Sequence, residues 1–212
     1  MKRFFLLFAF LAAVVTGPAA FSMGEEAEIR LAALLAVMRG DLVRPATPGR
    51  KARLLENASI LPVMLRAVGA AQEEVAAARR LYDLIQENDR SRAATVLRHL
   101  MQARPFHSPP LAVPLPRALV LGQAIHREAC AGCHDAQATD AFLPAENLFR
   151  LACEEPPPML EARILLGVKG MAAEGHRNPF SPAEQAALAA WYRKGTTAAC
   201  PGPRSSPLRA GP

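Results

Sequence analysis

The 212-residue sequence has little of what a sheet, a nucleic-acid binder or a membrane-spanning protein needs. Runs of β-branched residues are rare and aromatics make up only 6%. Ala, Leu and Arg dominate instead, which is helix-forming composition. There is no basic tract. Residues 23–114 hold 13 Lys and Arg against 10 Asp and Glu, and residues 115–212 hold 10 against 9. A formal charge of +6 spread in this way is a mixed surface and argues against nucleic acid as a partner. Beyond residue 22 no segment is long and apolar enough to span a bilayer. Cysteine is absent from the whole N-terminal half, so no lipid-anchor cysteine follows the apolar start of the sequence. No internal repeat is visible. Proline is plentiful at 19 residues, 12 of which cluster at 105–116, 156–158 and 201–212, where it acts as punctuation.

Residues 1–22 read as a secretory signal. Lys2 and Arg3 supply the positive end, Phe4 to Val15 the apolar run, and Gly17 to Ser22 small residues for cleavage after Ala19 or Ser22. An uncleaved anchor is the alternative, but the run is short of the roughly 20 residues a span requires. The expected location is the periplasm, with no stable membrane span after cleavage.

The expected fold is all-α. Four helical patterns fill residues 23–104. Leu31, Leu34, Leu35 and Met38 mark the first, which Gly40 is expected to stop. Turn residues at 44–49 follow. Leu61, Met64, Leu65 and Val68 mark the second, with Ser59 as its cap and Pro62 in its first turn. Val75, Ala78, Tyr82 and Ile85 mark the third. Ala93, Val96, Leu97 and Leu100 mark the fourth, capped by Asn88 or Asp89. These make a small bundle or antiparallel hairpins of unassigned role. His99 reads as a surface histidine, and Met38, Met64 and Met101 as core filler. Residues 105–116 are a Pro-rich linker that contains His107. Residues 117–200 form a second domain, and 201–212 a Pro-rich tail.

The chemistry lies in Cys130-Ala131-Gly132-Cys133-His134. In an exported protein the pattern C-x-x-C-H is a signal for covalent attachment of haem c. On a helix, positions three and four apart share a face. Two thiols and one imidazole then point together, toward the vinyl groups and the iron of one haem. A thioredoxin-like pair would need a preceding β-strand, and a zinc site a second Cys/His pair at metal spacing. Neither is present. Cys153 and Cys200 are left over, and in an oxidising compartment an even remainder suggests a disulfide, with two free thiols as the alternative. The loop such a bond closes is worth roughly 3–4 kcal/mol on chain-entropy grounds.

The flanks resemble a class I cytochrome c domain over roughly residues 115–198. A helix bearing Gly122 leads into the motif. The segment Gly167-Val168-Lys169-Gly170-Met171 resembles the family's axial-methionine loop, and Ser181 to Tyr192 its closing helix. Ser181 with Glu184 forms a capping box, Pro182 takes the first helical position, and Gly195 is expected to end the helix. Three positions depart from the family: His126 replaces an aromatic, Ala172 replaces a proline after the methionine, and no Gly-Pro pair follows His134. Short helices are expected at Asn147–Leu151 and Met159–Leu166.

The resemblance implies His134 as proximal ligand and Met171 as distal ligand, with His176 and then Met159 as alternatives. His107 is too remote. An open sixth position is the remaining option. His/Met ligation implies one-electron transfer between a donor and an acceptor protein, at an edge flanked by Arg127, Lys169 and Arg177. These three are otherwise ordinary solvated charges. The competing expectations are a haem subunit docked into a larger oxidoreductase complex through residues 23–104, and a ligand-binding haem sensor.

Overall fold

The computed structural model describes residues 23–135, 145–167 and 178–200, all helices and connecting loops, with no strand among them. The expected export segment, the C-terminal tail and the stretch containing Lys169, Met171, His176 and Arg177 lie outside the described residues.

Helix α1 (Met23–Val43) is the axis of the first half. The periodicity predicts one apolar face, yet everything from Leu31 to Met38 is buried. A helix apolar all round belongs in the middle of a core. Here α2 (Pro48–Ala67), α4 (Arg90–Ala103) and α8 (Pro157–Leu166) all pack against α1. Gly40 does not stop the helix. Its missing side chain admits the Arg163–Glu155 ion pair, whose atoms lie 3.0 Å from where a Cβ would sit. Packing at this point outweighs the ~1 kcal/mol that glycine costs inside a helix.

The second helix also starts earlier than its pattern suggests. Thr47 accepts the N–H of Arg50 at 3.2 Å and Pro48 takes the first position. Pro62 therefore falls inside α2 rather than in its first turn. Leu61 and Leu65 beside it have no exposed surface, and burial of this kind, worth about 1.5–3 kcal/mol per leucine, offsets the lost backbone hydrogen bond. Helix α3 (Gln72–Gln86) and α4 complete the bundle, with Asp89 capping α4 through the Arg92 N–H at 2.9 Å. Arg104 then ties α1 to α3, at 2.6 Å from Glu28 and 3.0 Å from Glu74. Met38 is core and Met64 and Met101 pack against it, while His99 and His107 are exposed.

Residues 105–114 are non-helical, with Phe106 packed on the bundle core. The backbone re-enters helix at α5 (Leu115–Ile125), followed by a π-helical turn (His126–Cys130) and one turn of α6 (Ala131–His134). Helices α7 (Leu148–Glu154), α8 and α9 (Pro182–Ala199) complete the second half. Gly122 sits where α5 crosses α9. A Cβ there would collide with the Ala187 carbonyl, so only glycine fits. The Ser181–Glu184 capping box forms in both directions, at 2.7 and 3.3 Å. Gly195 does not end α9, because its bare backbone accommodates the ring of Phe149, 2.5 Å from a Cβ position. Cys153 and Cys200 form a disulfide that ties α7 to the end of α9.

Helix α8 belongs to both halves. Ala162 and Leu166 complete the bundle core, while Leu160 and Ile164 join Ile125, Leu151, Leu188 and Tyr192 in the second core. It stops at Gly167, whose φ of 73° and ψ of −170° suit glycine almost alone. Among the described residues no helix is long and apolar enough to cross a membrane.

Candidate functional site

The segment Cys130–His134 begins on the last residue of the π turn, in which the Ala131 N–H bonds the carbonyl of His126 five residues back. Such single turns are frequent at functional sites, and the extra residue shifts side-chain register between α5 and the motif. His126 consequently faces inward. It stands in T-shaped contact with Phe149 and Tyr192, at centroid distances of 5.3 and 5.5 Å. It thus packs as an aromatic residue would at this position and adds polar ties that a phenyl ring lacks. Its Nδ1 lies 3.1 Å from the Tyr192 hydroxyl and its Nε2 3.2 Å from the Asp135 carboxylate.

Cys130 is half-buried and Cys133 exposed, and both are free thiols. Burial pushes the Cys130 thiol up, with Asp135 and Cys133 adding to it against a hydrogen bond from Tyr192. Burial likewise raises the Tyr192 phenol, with Cys130 contributing. Both groups hold their protons at neutral pH.

The imidazole of His134 is set by the segment opposite. Its Nδ1 lies 2.7 Å from the backbone carbonyl of Glu146, and Asn147 Nδ2 donates to the His134 carbonyl at 3.4 Å. A carbonyl only accepts, so Nδ1 is the donor, and in the neutral ring Nε2 is the nitrogen with the lone pair. That is how metal-binding histidines are usually prepared, with the second nitrogen bonded to a carbonyl or carboxylate. Two free thiols three residues apart and an imidazole with its outer nitrogen available fit a covalently held haem. Among the described residues no group of three or more His, Cys, Asp or Glu is arranged to hold a bare metal ion.

Behind Glu146 lies a network of charges between the two halves. Arg44 donates to Glu146 at 2.5 Å and to Glu154 at 2.8 Å. Arg53 binds Asp41 through two nitrogens, at 2.6 and 2.7 Å. Arg163 joins Asp41 at 2.8 Å to Glu155 at 2.7 Å. Burial alone would raise the carboxyls of Asp41 and Glu146, but the hydrogen bonds and charges of their arginines hold both below the ordinary value. Burial works against the charge of Arg163 too, and its bonds to Glu155 and Asp41 more than compensate.

Cys130 ends the π turn, and Cys133 and His134 lie three and four residues on, in α6. Met171 and His176 fall outside the described residues. Met159 lies in the first turn of α8, half-buried, and Arg127 pairs with its neighbour Glu128 on the surface at 2.8 Å. Sequence reasoning missed Glu146 and the arginines that hold it. Asn147 did carry a signal, since it caps α7 through the Arg150 N–H at 3.0 Å. Compared with family models, with curated proteins and with solved structures, the protein matches none.

Proposed function

We propose that this protein is an exported single-haem c-type cytochrome that passes one electron at a time between a donor and an acceptor protein. The observation that carries the reading is the state of His134. It directly follows the two thiols, and the Glu146 carbonyl engages its Nδ1–H, which leaves Nε2 for iron. Bound covalently, haem supplies an iron that exchanges one electron, at a potential set by its axial ligands and surroundings.

The remaining residues each do a definable job. Cys130 and Cys133 hold the group by thioether bonds. Gly122 lets α5 and α9 cross closely, which steadies the helix that leads into the motif. His126, Phe149 and Tyr192 pack behind it. Met171, in the segment before α9, is the proposed distal ligand. The Cys153–Cys200 bond is compatible with the oxidising compartment the reading requires.

An optical spectrum with a redox titration of wild type and Met171→Ala tests this. The expected result is a c-type spectrum in wild type, and in the variant loss of the sulfur-to-iron charge-transfer band with a fall in potential. An unchanged band and potential would transfer the distal role to His176, and absence of covalent haem from wild type would end the reading.

A further inference from the structure

The geometry points to Arg44 and Glu146 as positioning residues for His134: residues 23–104 act as a built-in clamp on the proximal side of the haem site, an inference that rests on the haem reading above. Residues 145–147 lie just outside α7, and Asn147 is held on one side as its cap and by its bond to the His134 carbonyl. On the other side, the carbonyl that meets the imidazole is located by what the Glu146 side chain holds. Its carboxylate is gripped by Arg44 at 2.5 Å and Arg50 at 3.3 Å, with Arg53 at 3.9 Å.

The grip is anchored in the bundle. Arg90, the first residue of α4, donates to the Arg44 carbonyl at 2.6 Å and also to that of Leu42. Arg50 donates in turn to the Pro45 carbonyl. The corner between α1 and α2 is thus locked to the start of α4, and Arg44 projects from it onto Glu146. The side chains of Arg44, Arg50 and Glu146 are only 11, 12 and 17% exposed. Charge-assisted bonds enclosed to this degree are stiffer than surface ion pairs.

Docking of the halves alone does not account for this arrangement. Asp41, Arg53, Arg163 and Glu155 already join α1 and α2 to α8. What Arg44 adds is a hold on the one residue whose carbonyl touches His134. A firm Nδ1–H···O=C bond raises the basicity of the ligating nitrogen and fixes the ring's orientation. The bundle would in this way set a property of the iron.

Arg44→Met separates this role from simple electrostatics, because the two predict opposite signs. Removing a positive charge near the iron favours the oxidised state and lowers the potential. Loosening the carbonyl weakens the imidazole as a donor and raises it. The measurements are covalent haem by gel stain, potential by redox titration, and hydrogen exchange of the His134 Nδ1–H by NMR in the reduced protein. The expected result is full haem attachment, a raised potential, and exchange about tenfold faster, the equivalent of one hydrogen bond's net contribution. Arg44→Lys, which keeps the charge but not the fork geometry, should fall between wild type and Arg44→Met.

If Arg44→Met does not fold, Glu146→Gln takes its place with exchange as the deciding readout, since both effects there raise the potential. A haem-loaded variant with a lowered potential and unchanged exchange overturns the clamp alone. Wild type without covalent haem overturns both the clamp and the proposed function.

Discussion

Residues 23–103 are held by leucines and alanines packed around α1, whereas residues 115–200 are held by a smaller aromatic-centred core and several staples. In the first half Leu31, Leu35, Leu61, Leu65, Leu81 and Leu100 have no exposed surface, and polar ties serve mainly at helix ends and edges. In the second, Tyr192, Phe149 and His126 meet around the π turn, a disulfide closes α7 onto α9, and α8 borrows part of its burial from the bundle. The difference follows from size. The second half has fewer buried apolar side chains among its own helices, and small cores need staples. The bundle is then more than an appendage, because it supplies a wall for α8 and, through Arg44, a hold on the segment facing His134.

The largest expected effect is at Arg163, the charge shared between the halves. Arg163→Met leaves Glu155 with only the more distant Arg44, at 3.9 Å, and Asp41 with Arg53 alone, and the cost of breaking a buried pair in this way is about 3–5 kcal/mol. Chemical unfolding followed by helix circular dichroism and by emission from Trp191, the sole tryptophan, should give coincident curves in wild type and separated curves in the variant. Coincident curves in both would show that apolar contact through Ala162 and Leu166 is enough to couple the halves.

Removing the staple comes next. The double variant Cys153→Ser, Cys200→Ser should lower the stability of the second half by about 3–4 kcal/mol. The Trp191 transition and the helical signal are expected to move together, because Arg163 still couples the halves. A Trp191 shift that leaves the helical signal in place would mean that the two halves unfold separately even with Arg163 present.

The smallest effect is the response to acid. Asp41 and Glu146 are held below their ordinary values of 3.8 and 4.5 in the folded protein. Each therefore binds fewer protons folded than unfolded just below those values. Their contribution to stability is complete above the ordinary carboxylate range and is lost as pH falls through the folded values. Melting temperature should be level from neutral pH down to about 5 and drop below about 4. Arg44→Met should flatten the part of that drop due to Glu146, and an unaltered acid profile in this variant would remove Glu146 from the account.

Much of this molecule is legible in its sequence because much of it is local. Helix periods, the Asp89 cap, the Ser181–Glu184 box and the Cys130–His134 motif each depend on residues a few positions apart. The even remainder of cysteines points to the Cys153–Cys200 bond. Local patterns mislead at helix ends that a distant side chain decides. Gly40 and Gly195 look like stops, yet each is a gap filled by another element, by Arg163 with Glu155 in one case and by Phe149 in the other. The all-round burial of the middle of α1 has a signal, the unbroken apolar stretch Leu31 to Met38, which a one-face template overlooks.

What the sequence determined by itself is an all-helical protein with two thiols and an imidazole on adjacent turns, since spacing along a helix fixes which side chains share a face. Only the tertiary structure decided what stands behind them. Arg44 and Glu146 are 102 positions apart. Their meeting, and the carbonyl it places against His134, depends on how α1 docks on α8, a long-range packing choice that no local pattern of residues encodes.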